Sequence, residues 1–387
     1  MKIRNYIKSS CLGVFLTMVL TGCSIFPNGA INNADVAKEI ITEIPTQNSQ
    51  YVQTKLNNYI KVDSDVYTSD ETGGKQFKTR YRIADEEMAN KRAALFAQGN
   101  DIVNAEKNEV GTYIYTYSNG SRFADNAHCS YFTQDSEKRH YNLLISKNNG
   151  NPKEHFPLKE LEDFPLDQAV KQVRQLCEDM EIELSANEPQ VFALDVKNVT
   201  KRIEQEKMLG YYLSDEKRLR TNDVETYGEK IIWNQEDEVY YMIFQLAVDG
   251  YTFPLEHIDT DSYYSNDHKL EVVVGRNEIK MFSLSVEYGD KEWEDLKGEI
   301  CSSSDALHVI ASSYPYSYAL SEDAISNVEL VYIPVSEHNK QNFLAKPYWQ
   351  FTVEYDKEVS KNGVTYNDKV TMFLVVDAVN KTLYKLQ

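Results

Sequence analysis

The residues with the most specific chemistry are Leu20, Thr21, Gly22 and Cys23, which follow one another near the start of the chain. A cysteine placed directly after a short apolar segment and small residues is typical of a bacterial lipobox. In such a motif the chain is cut before the cysteine, and the thiol is then lipidated. The sequence therefore predicts a signal peptide at residues 1–22 and a lipid on Cys23.

The segment before this motif has the parts of an export signal. Lys2, Arg4 and Lys8 give a cationic start, and residues 12–20 form an apolar core shorter than the ~20 residues of a membrane span. Two acyl chains anchor a protein stably, whereas one chain binds only marginally. We expect a lipid-anchored protein on the extracytoplasmic face of the cell membrane. The alternative is an ordinary signal or short anchor in which Cys23 has no role.

The charge of the chain argues against nucleic acid as a partner. The formal net charge is −19, and removal of residues 1–22 takes away three cationic side chains and changes it to −22. Such a chain repels nucleic acid and anionic lipid, and no cluster of Lys or Arg offsets the repulsion. The predicted membrane association therefore depends on the lipid and not on a basic surface.

Three cysteines lie beyond the predicted signal and lipid site: Cys129, Cys177 and Cys301. They are far apart in sequence, and no CxxC or Cys/His zinc spacing is present. At most one disulfide could form among them. We expect buried, unpaired thiols.

The densest polar segment, residues 257–268, begins and ends with a histidine and contains three aspartates. Carboxylates suit Ca²⁺ and histidines suit transition metals. The segment lacks the glycine and the final acidic residue of an EF-hand loop, and Asp, Asn and Ser also form turns by bonding to their own backbone. We predict a turn, with a metal site as the alternative. We predict neither a metal nor a cofactor for the protein.

Two histidines lie near cysteines in sequence without a catalytic geometry. His128 and Cys129 are adjacent, and neighbours in a strand point in opposite directions. Cys301 and His308 are seven positions apart, which is a poor spacing for contact on a helix. Neither a GxSxG elbow nor an HExxH helix occurs in the sequence. We therefore predict no catalytic residues and no enzymatic activity.

The hydrophobic pattern predicts an α+β fold built from several modules. We expect a lipidated tether with a short helix at residues 23–45 and an N-terminal α+β module at residues 46–160. Residues 161–290 and 291–387 are predicted as two related units, each with a helix laid over an antiparallel sheet. Convergence of pattern between these two units is the alternative to a true repeat.

Individual elements follow from caps, turns and alternation. In the N-terminal module, Asp85 is a candidate helix cap, and Asn119-Gly120 predicts a hairpin turn after a strand at 112–117. Further strands are predicted at 128–134 and 139–146. In the C-terminal units, helices are predicted after Pro165 and behind Ser303 and Ser304. The strands predicted there lie at 191–196, 239–248, 270–274, 279–288, 328–335, 348–355 and 369–376.

Tyrosine is the most frequent aromatic residue, with 27 occurrences against 15 Phe and 3 Trp. Its ring suits half-buried strand surfaces and its hydroxyl suits their polar rim. Tyrosine also lines sugar and peptide sites. We interpret the excess as strand packing, with binding as the alternative.

The C-terminal sequence resembles envelope proteins of Firmicutes. The resemblance lies in Val331-Tyr332-Ile333-Pro334-Val335, Lys346-Pro347-Tyr348-Trp349-Gln350-Phe351, Leu374-Val375-Val376-Asp377-Ala378 and Leu383-Tyr384. It is similar to clostridial lipoproteins of unknown function, to PepSY-type domains and to membrane-anchored accessory regulators of a cell-wall sensor kinase. The resemblance implies a sheet-and-helix scaffold in which Trp349 and Asp377 are structural, and it brings no catalytic residue. It does not cover residues 24–157.

These observations predict a non-catalytic binding or regulatory module in the cell envelope. Its partners would be the membrane, through the lipid anchor, and an envelope protein or a peptide. One alternative is a solute-binding lipoprotein of a transporter, although that class needs parallel, nearly all-apolar strands. The other is a hydrolase, which a cleft grouping two carboxylates, or Cys with His, would support.

Overall fold

The computed structural model describes ten segments of the chain: 51–55, 60–67, 74–139, 141–145, 152–208, 232–255, 268–313, 323–336, 342–361 and 364–384. All of them belong to one compact unit, Ile40–Gln387. Cys23 with the signal peptide, the tether at 23–45 and residues 257–267 of the polar segment lie outside the described residues.

Strands dominate the described part of the chain. In chain order they are β1 (Tyr51–Lys55), β2 (Ile60–Tyr67), β3 (Lys75–Arg80), β4 (Ile102–Lys107), β5 (Tyr113–Tyr117), β6 (Arg122–Asp125), β7 (Cys129–Phe132), β8 (Gln190–Leu194), β9 (Val239–Gln245), β10 (Ala247–Val248), β11 (Tyr251–Thr252), β12 (Lys269–Val274), β13 (Ile279–Leu284), β14 (Glu292–Asp295), β15 (Asp323–Ser336), β16 (Asn342–Lys361), β17 (Val364–Asp377) and β18 (Thr382–Tyr384).

Helices are fewer than strands in the described segments. They are α1 (Glu86–Leu95), α2 (Gln134–Arg139), α3 (Tyr141–Leu144), α4 (Pro152–His155), α5 (Leu166–Asp179), α6 (Val196–Met208) and α7 (Ser303–Ser313), with a 3-10 turn at Gln235–Asp237. Within the segments described above, no helix has both the length and the apolar composition that a bilayer crossing requires.

The strands form two large sheets. Sheet I has the order β4-β5-β6-β7-β13-β12-β9-β8, and sheet II has the order β1-β2-β15-β16-β17-β18, with β3 also pairing to β16 and β14 pairing to β3. The described strand pairs are antiparallel except β2 with β15, which are parallel. The predicted α+β fold with antiparallel sheets is confirmed.

Each sheet contains a meander in which four strands pair in chain order after a helix. In sheet I, α5 precedes β8, β9, β12 and β13, and in sheet II, α7 precedes β15, β16, β17 and β18. This is the helix-then-sheet scheme that the sequence predicts twice.

A helix buries one face of each meander. Ala169, Val173 and Cys177 of α5 lie in one cluster with β-strand residues such as Met242 and Val272. The corresponding cluster on sheet II combines Ala306, Leu307 and Ile310 of α7 with Val328, Trp349, Phe351 and Val376. Because strand side chains alternate between faces, the intervening residues of both meanders point away from these helices.

The predicted module boundaries at 160 and 290 do not coincide with the sheets. Strands β4 to β7 extend sheet I through the pairing of β7 with β13, whereas β1, β2 and β3 belong to sheet II. The described strands of the segment 46–160 are thus divided between both sheets. Its strands satisfy backbone N–H and C=O groups that would otherwise be unpaired at the edges of the two meanders.

Several local predictions are confirmed and others are wrong. Asp85 caps α1 by accepting a hydrogen bond from the Met88 backbone N–H at 2.8 Å, and Gly120 adopts a φ of 81° in the turn after β5. The strand predicted at 139–146 is wrong for its described residues, since Arg139 ends α2 and Tyr141–Leu144 form α3. Burial there recurs at helical rather than alternating spacing. Its buried residues are Tyr141, Leu144 and Ile145.

The cap of α7 is also one residue earlier than predicted. Ser302, rather than Ser303 or Ser304, accepts a hydrogen bond through its hydroxyl oxygen from the Asp305 backbone N–H at 3.1 Å. A hydroxyl three residues before the donor has the geometry of an N-cap.

Many tyrosines lie in the core, which agrees with strand packing. The most buried are Tyr117, Tyr131, Tyr141, Tyr240, Tyr241 and Tyr332. Most of their hydroxyls reach polar partners: that of Tyr240 donates to the Phe164 carbonyl at 2.9 Å, and that of Tyr117 donates to the Ala93 carbonyl at 2.6 Å. The Tyr141 hydroxyl is the exception among these six, with no hydrogen-bond partner in the described residues. The rings therefore supply apolar area while most of the hydroxyls stay hydrogen-bonded.

Candidate ligand-binding cleft

A cleft of about 620 Å³ lies between the faces of the two meanders that point away from α5 and α7. A volume of this size is typical of sites for small molecules. Its lining comprises Asn142, Ile145, Pro152, Lys153, Asn187, Glu188, Gln190, Phe192, Ile243, Gln245, Leu255, Lys269, Glu271, Ser326, Asn327, Glu329, Gln350, Thr352, Glu354, Thr371 and Phe373. No tyrosine occurs among these residues, so the tyrosine excess does not mark this site.

The wall from sheet II is a polar stripe on central strands. Gln350, Thr352 and Glu354 occupy alternate positions of β16 and therefore share one face. The register places Glu329 of β15 opposite Gln350 and Phe373 of β17 opposite Thr352. The other face of the same strands packs under α7, so the stripe is fixed by the core behind it.

The wall from sheet I is more mixed. Phe192 of β8 and Ile243 of β9 contribute apolar surface, and Glu271 of β12 is paired in register with Ile243. The Tyr241 hydroxyl donates to Glu271 Oε1 at 2.9 Å, and Lys269 Nζ lies 3.5 Å from the same oxygen. Glu271 is therefore held by a hydrogen bond and an ion pair from its own sheet.

A network of two amides and one carboxylate joins the two walls. Asn187 Nδ2 donates to Glu329 Oε1 at 2.8 Å, and Gln245 Nε2 donates to both Glu329 oxygens at 3.2 Å. Asn187 Nδ2 also donates to Gln245 Oε1 at 3.0 Å. Glu329 belongs to sheet II and Gln245 to sheet I, so the network ties the sheets together at the base of the cleft.

Glu329 is unusual because it places a carboxyl group on a central strand and is only 4% exposed. Burial raises the pKa of its carboxyl to about 7, and the hydrogen bonds from Gln245, Asn187 and Asn327 oppose that rise. Burial disfavours the ionised form, whereas amide N–H donors favour it. The group is therefore poised to gain or lose a proton near neutral pH.

Gln350, beside Glu329 in the register, has unused hydrogen-bonding capacity. The residue is 3% exposed, and its Oε1 accepts no hydrogen bond within the described part of the chain. A buried polar atom without a partner costs free energy, and buried polar groups in folded proteins are normally satisfied. An acceptor of this kind on the wall of a cleft indicates a place for a ligand donor.

The histidines and cysteines considered from the sequence do not form a reactive pair among the described residues. Cys129, Cys177 and Cys301 are buried free thiols, and burial raises the pKa of each. His128 is exposed whereas Cys129 is in the core, and His308 is exposed whereas Cys301 packs beneath α7. Low-reactivity structural cysteines are typically buried in this way.

His268 is the only described residue of the polar segment 257–268. It is 6% exposed, and its ring stacks with those of Phe253 and Tyr288. Its Nε2 lies 2.8 Å from the Tyr288 hydroxyl oxygen. Among the described residues no group of three or more His, Cys, Asp or Glu side chains could hold a metal ion.

Trp349 and Asp377 make structural contacts. The Trp349 indole N–H donates to the Cys301 carbonyl at 2.9 Å and the ring packs in the cluster under α7. Asp377 accepts hydrogen bonds from the backbone N–H groups of Val379 and Asn380 at 2.9 and 2.7 Å, which fixes the turn before β18. Neither residue lines the cleft.

The cleft residues were missed in the sequence, although a signal exists. Glu329 stands between Val328 and Leu330, and the polar positions of β16 alternate with apolar ones from residue 349 to 354. Alternation of this kind is normally taken as a solvent-exposed strand face. A polar face on a long strand with a neighbour on each side, rather than on an edge strand, is the feature that distinguishes a cleft wall.

Comparison with known proteins shows the fold alone. No family model matches the chain, and no curated protein matches it. The chain is similar to the crystal structure of an uncharacterized protein from Eubacterium rectale, with a TM-score of 0.64 and 16% sequence identity. The match covers 92% of this chain and 99% of that one. The α+β arrangement is thus shared over nearly the whole chain at low sequence identity.

Proposed function

We propose that the protein is a lipid-anchored, non-catalytic binding module of the cell envelope, and that the cleft between the two sheets is its ligand site. The single observation that carries the binding part is the buried pair Glu329 and Gln350 on the cleft wall. Burial of polar groups on these central strands reduces stability, and a ligand that engages them offsets this cost. The lipidated Cys23 supplies the location on the extracytoplasmic face of the membrane.

The proposal accommodates the two partner classes expected from the sequence. A peptide or a fragment of an envelope component can enter a cleft of about 620 Å³, and a larger envelope protein can present such a fragment. A transporter-type solute receptor is less well supported. Its parallel βα units are not found among the described strands, which pair antiparallel apart from β2 with β15.

A thermal-shift screen on the purified full-length protein in detergent tests the proposal. The panel contains sugars, amino acids, short peptides, diamines and dicarboxylates. We expect at least one class to raise the melting temperature, since a ligand at about 100 times its dissociation constant adds ~2.7 kcal/mol. The bound compound should be recovered unchanged.

Two matched variants locate the binding. Thr352→Trp fills the cleft from the middle of β16, and Ser360→Trp places the same ring on the same strand outside the cleft. Both introduce a residue favoured in strands. The thermal shift should disappear in Thr352→Trp and persist in Ser360→Trp. Equal shifts in both variants would refute the cleft as the site, and so would the absence of any shift in the unmodified protein.

A hydrolase is the second candidate, and the pKa of Glu329 is the observation that favours it. Glycoside hydrolysis uses one carboxyl that is protonated near neutral pH and a second carboxylate. The cleft also contains Glu188, Glu271 and Glu354. However, the hydrogen bonds that Glu329 receives come from amide donors, which stabilise the carboxylate and not the acid form. Mass spectrometry that detects cleavage of a panel compound, lost in Glu329→Gln, would favour the hydrolase over the binding module.

A further inference from the structure

Around Glu329 the amide donors of the cleft are engaged, whereas one buried acceptor beside it is not. Asn187 donates its amide N–H groups to Gln245 Oε1 and Glu329, and Gln245 donates to Glu329 and to the Phe253 carbonyl. Lys269 lies against Glu271, which lines the same wall. The donors of Asn187, Gln245 and Lys269 are therefore engaged within the protein. The Gln350 Oε1 atom, in contrast, accepts no hydrogen bond within the described residues.

Acidic side chains outnumber basic ones in the lining of the cleft. Four glutamates, Glu188, Glu271, Glu329 and Glu354, face two lysines, Lys153 and Lys269. One of the lysines is within 3.5 Å of Glu271, so the other carboxylates exceed the remaining cation. A cleft with low-dielectric walls concentrates a field of one sign and attracts ligands of the opposite charge.

Two phenyl rings line the cleft as well. Phe192 comes from sheet I and Phe373 from sheet II. The face of an aromatic ring attracts cations and also packs against methylene groups. The rings thus suit a ligand that combines an apolar chain with a cationic end.

We propose that this cleft binds a small organic cation whose ammonium or guanidinium N–H groups donate to Gln350 Oε1 and to the Glu329 carboxylate. The inference rests on the proposed function and specifies its ligand class. The methylene groups of the ligand lie against Phe192 and Phe373. Anionic ligands are repelled by the surplus of carboxylates, and neutral polyols lack the charge that would compensate Glu329.

The affinity of the cleft for a cation should depend on pH. Burial raises the pKa of Glu329 to about 7, so the unliganded site retains its proton over much of the acidic range. A bound cation favours the ionised form, and binding therefore releases this proton. The affinity should rise by about tenfold per pH unit below neutral pH and level off above it. The other charged groups that line the cleft with Glu329 are Glu188, Glu271, Glu354, Lys153 and Lys269.

Isothermal titration calorimetry on the full-length protein in detergent tests this ligand class. The cationic probes are 1,4-diaminobutane, spermidine and agmatine. The matched neutral and anionic probes are 1,4-butanediol and succinate, with glucose as a polyol. We expect binding by at least one cation at about 0.15 M salt, no binding by the diol or succinate, and an affinity that increases from about pH 5.5 to about pH 8.

Glu329→Gln removes the charge with little change of shape and should weaken cation binding by at least about tenfold. It should also flatten the pH dependence. Glu292→Gln removes one charge from β14 outside the cleft and controls for nonspecific attraction to an acidic protein. We expect its affinity to match that of the unmodified protein.

The outcomes separate this inference from the proposed function. If a sugar or an anion binds, is lost in Thr352→Trp, and no cation binds, the ligand class is wrong and the cleft remains the site. If cations bind equally well to Glu329→Gln, the assignment to Glu329 is overturned. If no probe of any class binds, both proposals fail.

Discussion

Burial of the Glu329 carboxyl makes one contribution to stability depend on pH. Its pKa rises from 4.5 to about 7 in the folded protein, so the native state holds the proton more tightly than the unfolded chain. The stability from this group is fully present below the unfolded pKa and is lost as the pH rises through about 7. Between about pH 5.5 and about pH 8 the loss amounts to ~2 kcal/mol.

Glu329→Gln should remove this dependence. We expect the unfolding free energy of the unmodified protein, minus that of the variant, to fall by ~2 kcal/mol between about pH 5.5 and about pH 8. Urea denaturation at both pH values measures it. Burial also raises the pKa of Asp125 to about 6, but that group is present in both proteins and cancels in the difference. Parallel pH profiles would contradict the prediction.

A second residue-scale feature is a buried ion pair under α1. Arg92 is 1% exposed, its Nη1 lies 2.8 Å from Glu287 Oε2 and 3.5 Å from Asp125 Oδ1, and its Nη2 donates to the Met180 carbonyl at 2.9 Å. Desolvation raises the pKa of Asp125 even with Arg92 beside it. The guanidinium is thus the counter-ion for a carboxylate that has no access to water.

Arg92→Met should be strongly destabilising. It leaves Asp125 buried without its cation, which typically costs ~3–5 kcal/mol. Lys91→Met is the matched control, since Lys91 is the neighbouring cation in an exposed pair with Glu181, and such pairs contribute about 1 kcal/mol or less. Chemical denaturation compares the two variants. Similar losses of unfolding free energy in both would contradict the structural role of the buried pair.

At the scale of elements, α1 shows how a local signal fixes a helix end. Its N-terminus is closed by the Asp85 side chain, and its buried face contains Ala89, Arg92 and Ala93. Met88, Leu95 and the C-terminal Phe96 also pack against the core of sheet I. The cap and the Arg92 contacts therefore add to hydrophobic burial in fixing this helix.

Asp85→Ala should cost ~1 kcal/mol of unfolding free energy because it removes the acceptor for the Met88 N–H. Asp85→Asn keeps a capping oxygen and should retain most of the stability. Thermal unfolding followed by circular dichroism distinguishes the two. A loss of equal size in both variants would mean that the negative charge, and not the hydrogen bond, stabilises this helix end.

At the scale of the whole molecule, the proposed lipid anchor and the acidic charge of the chain have opposite effects on membrane binding. The predicted mature charge of −22 repels anionic membranes, so membrane association should depend on Cys23 alone. Cys23→Ala should release the protein from the membrane fraction. The unmodified protein should remain there at about 1 M salt, where surface charge interactions are screened. Fractionation followed by immunoblotting measures both, and a membrane-bound Cys23→Ala protein would contradict the lipid prediction.

Elements fixed by local residue spacing could be predicted from the sequence, whereas their arrangement in the whole molecule could not. The helix after Pro165 and the strands of both meanders can be predicted from residue spacing. Apolar residues recur there with the 3.6-residue period of a helix or the 2.0-residue period of a strand. The strand prediction at 139–146 was wrong because a short apolar run is compatible with both the helical and the strand periodicity. The placement of β1 to β3 with sheet II, and of β4 to β7 with sheet I, depends on pairings between distant parts of the chain.

The sequence by itself determined the acidic charge, the α+β class and the two helix-then-sheet units, and it predicts the lipoprotein signal. Only the tertiary structure decided that Glu329, Gln350 and Gln245 lie together at one cleft. The physical reason is that alternation assigns a side chain to a face of a sheet, whereas the partner of that face is set by long-range packing. A polar residue in a strand has the same local pattern at a solvent-exposed surface and at a buried site.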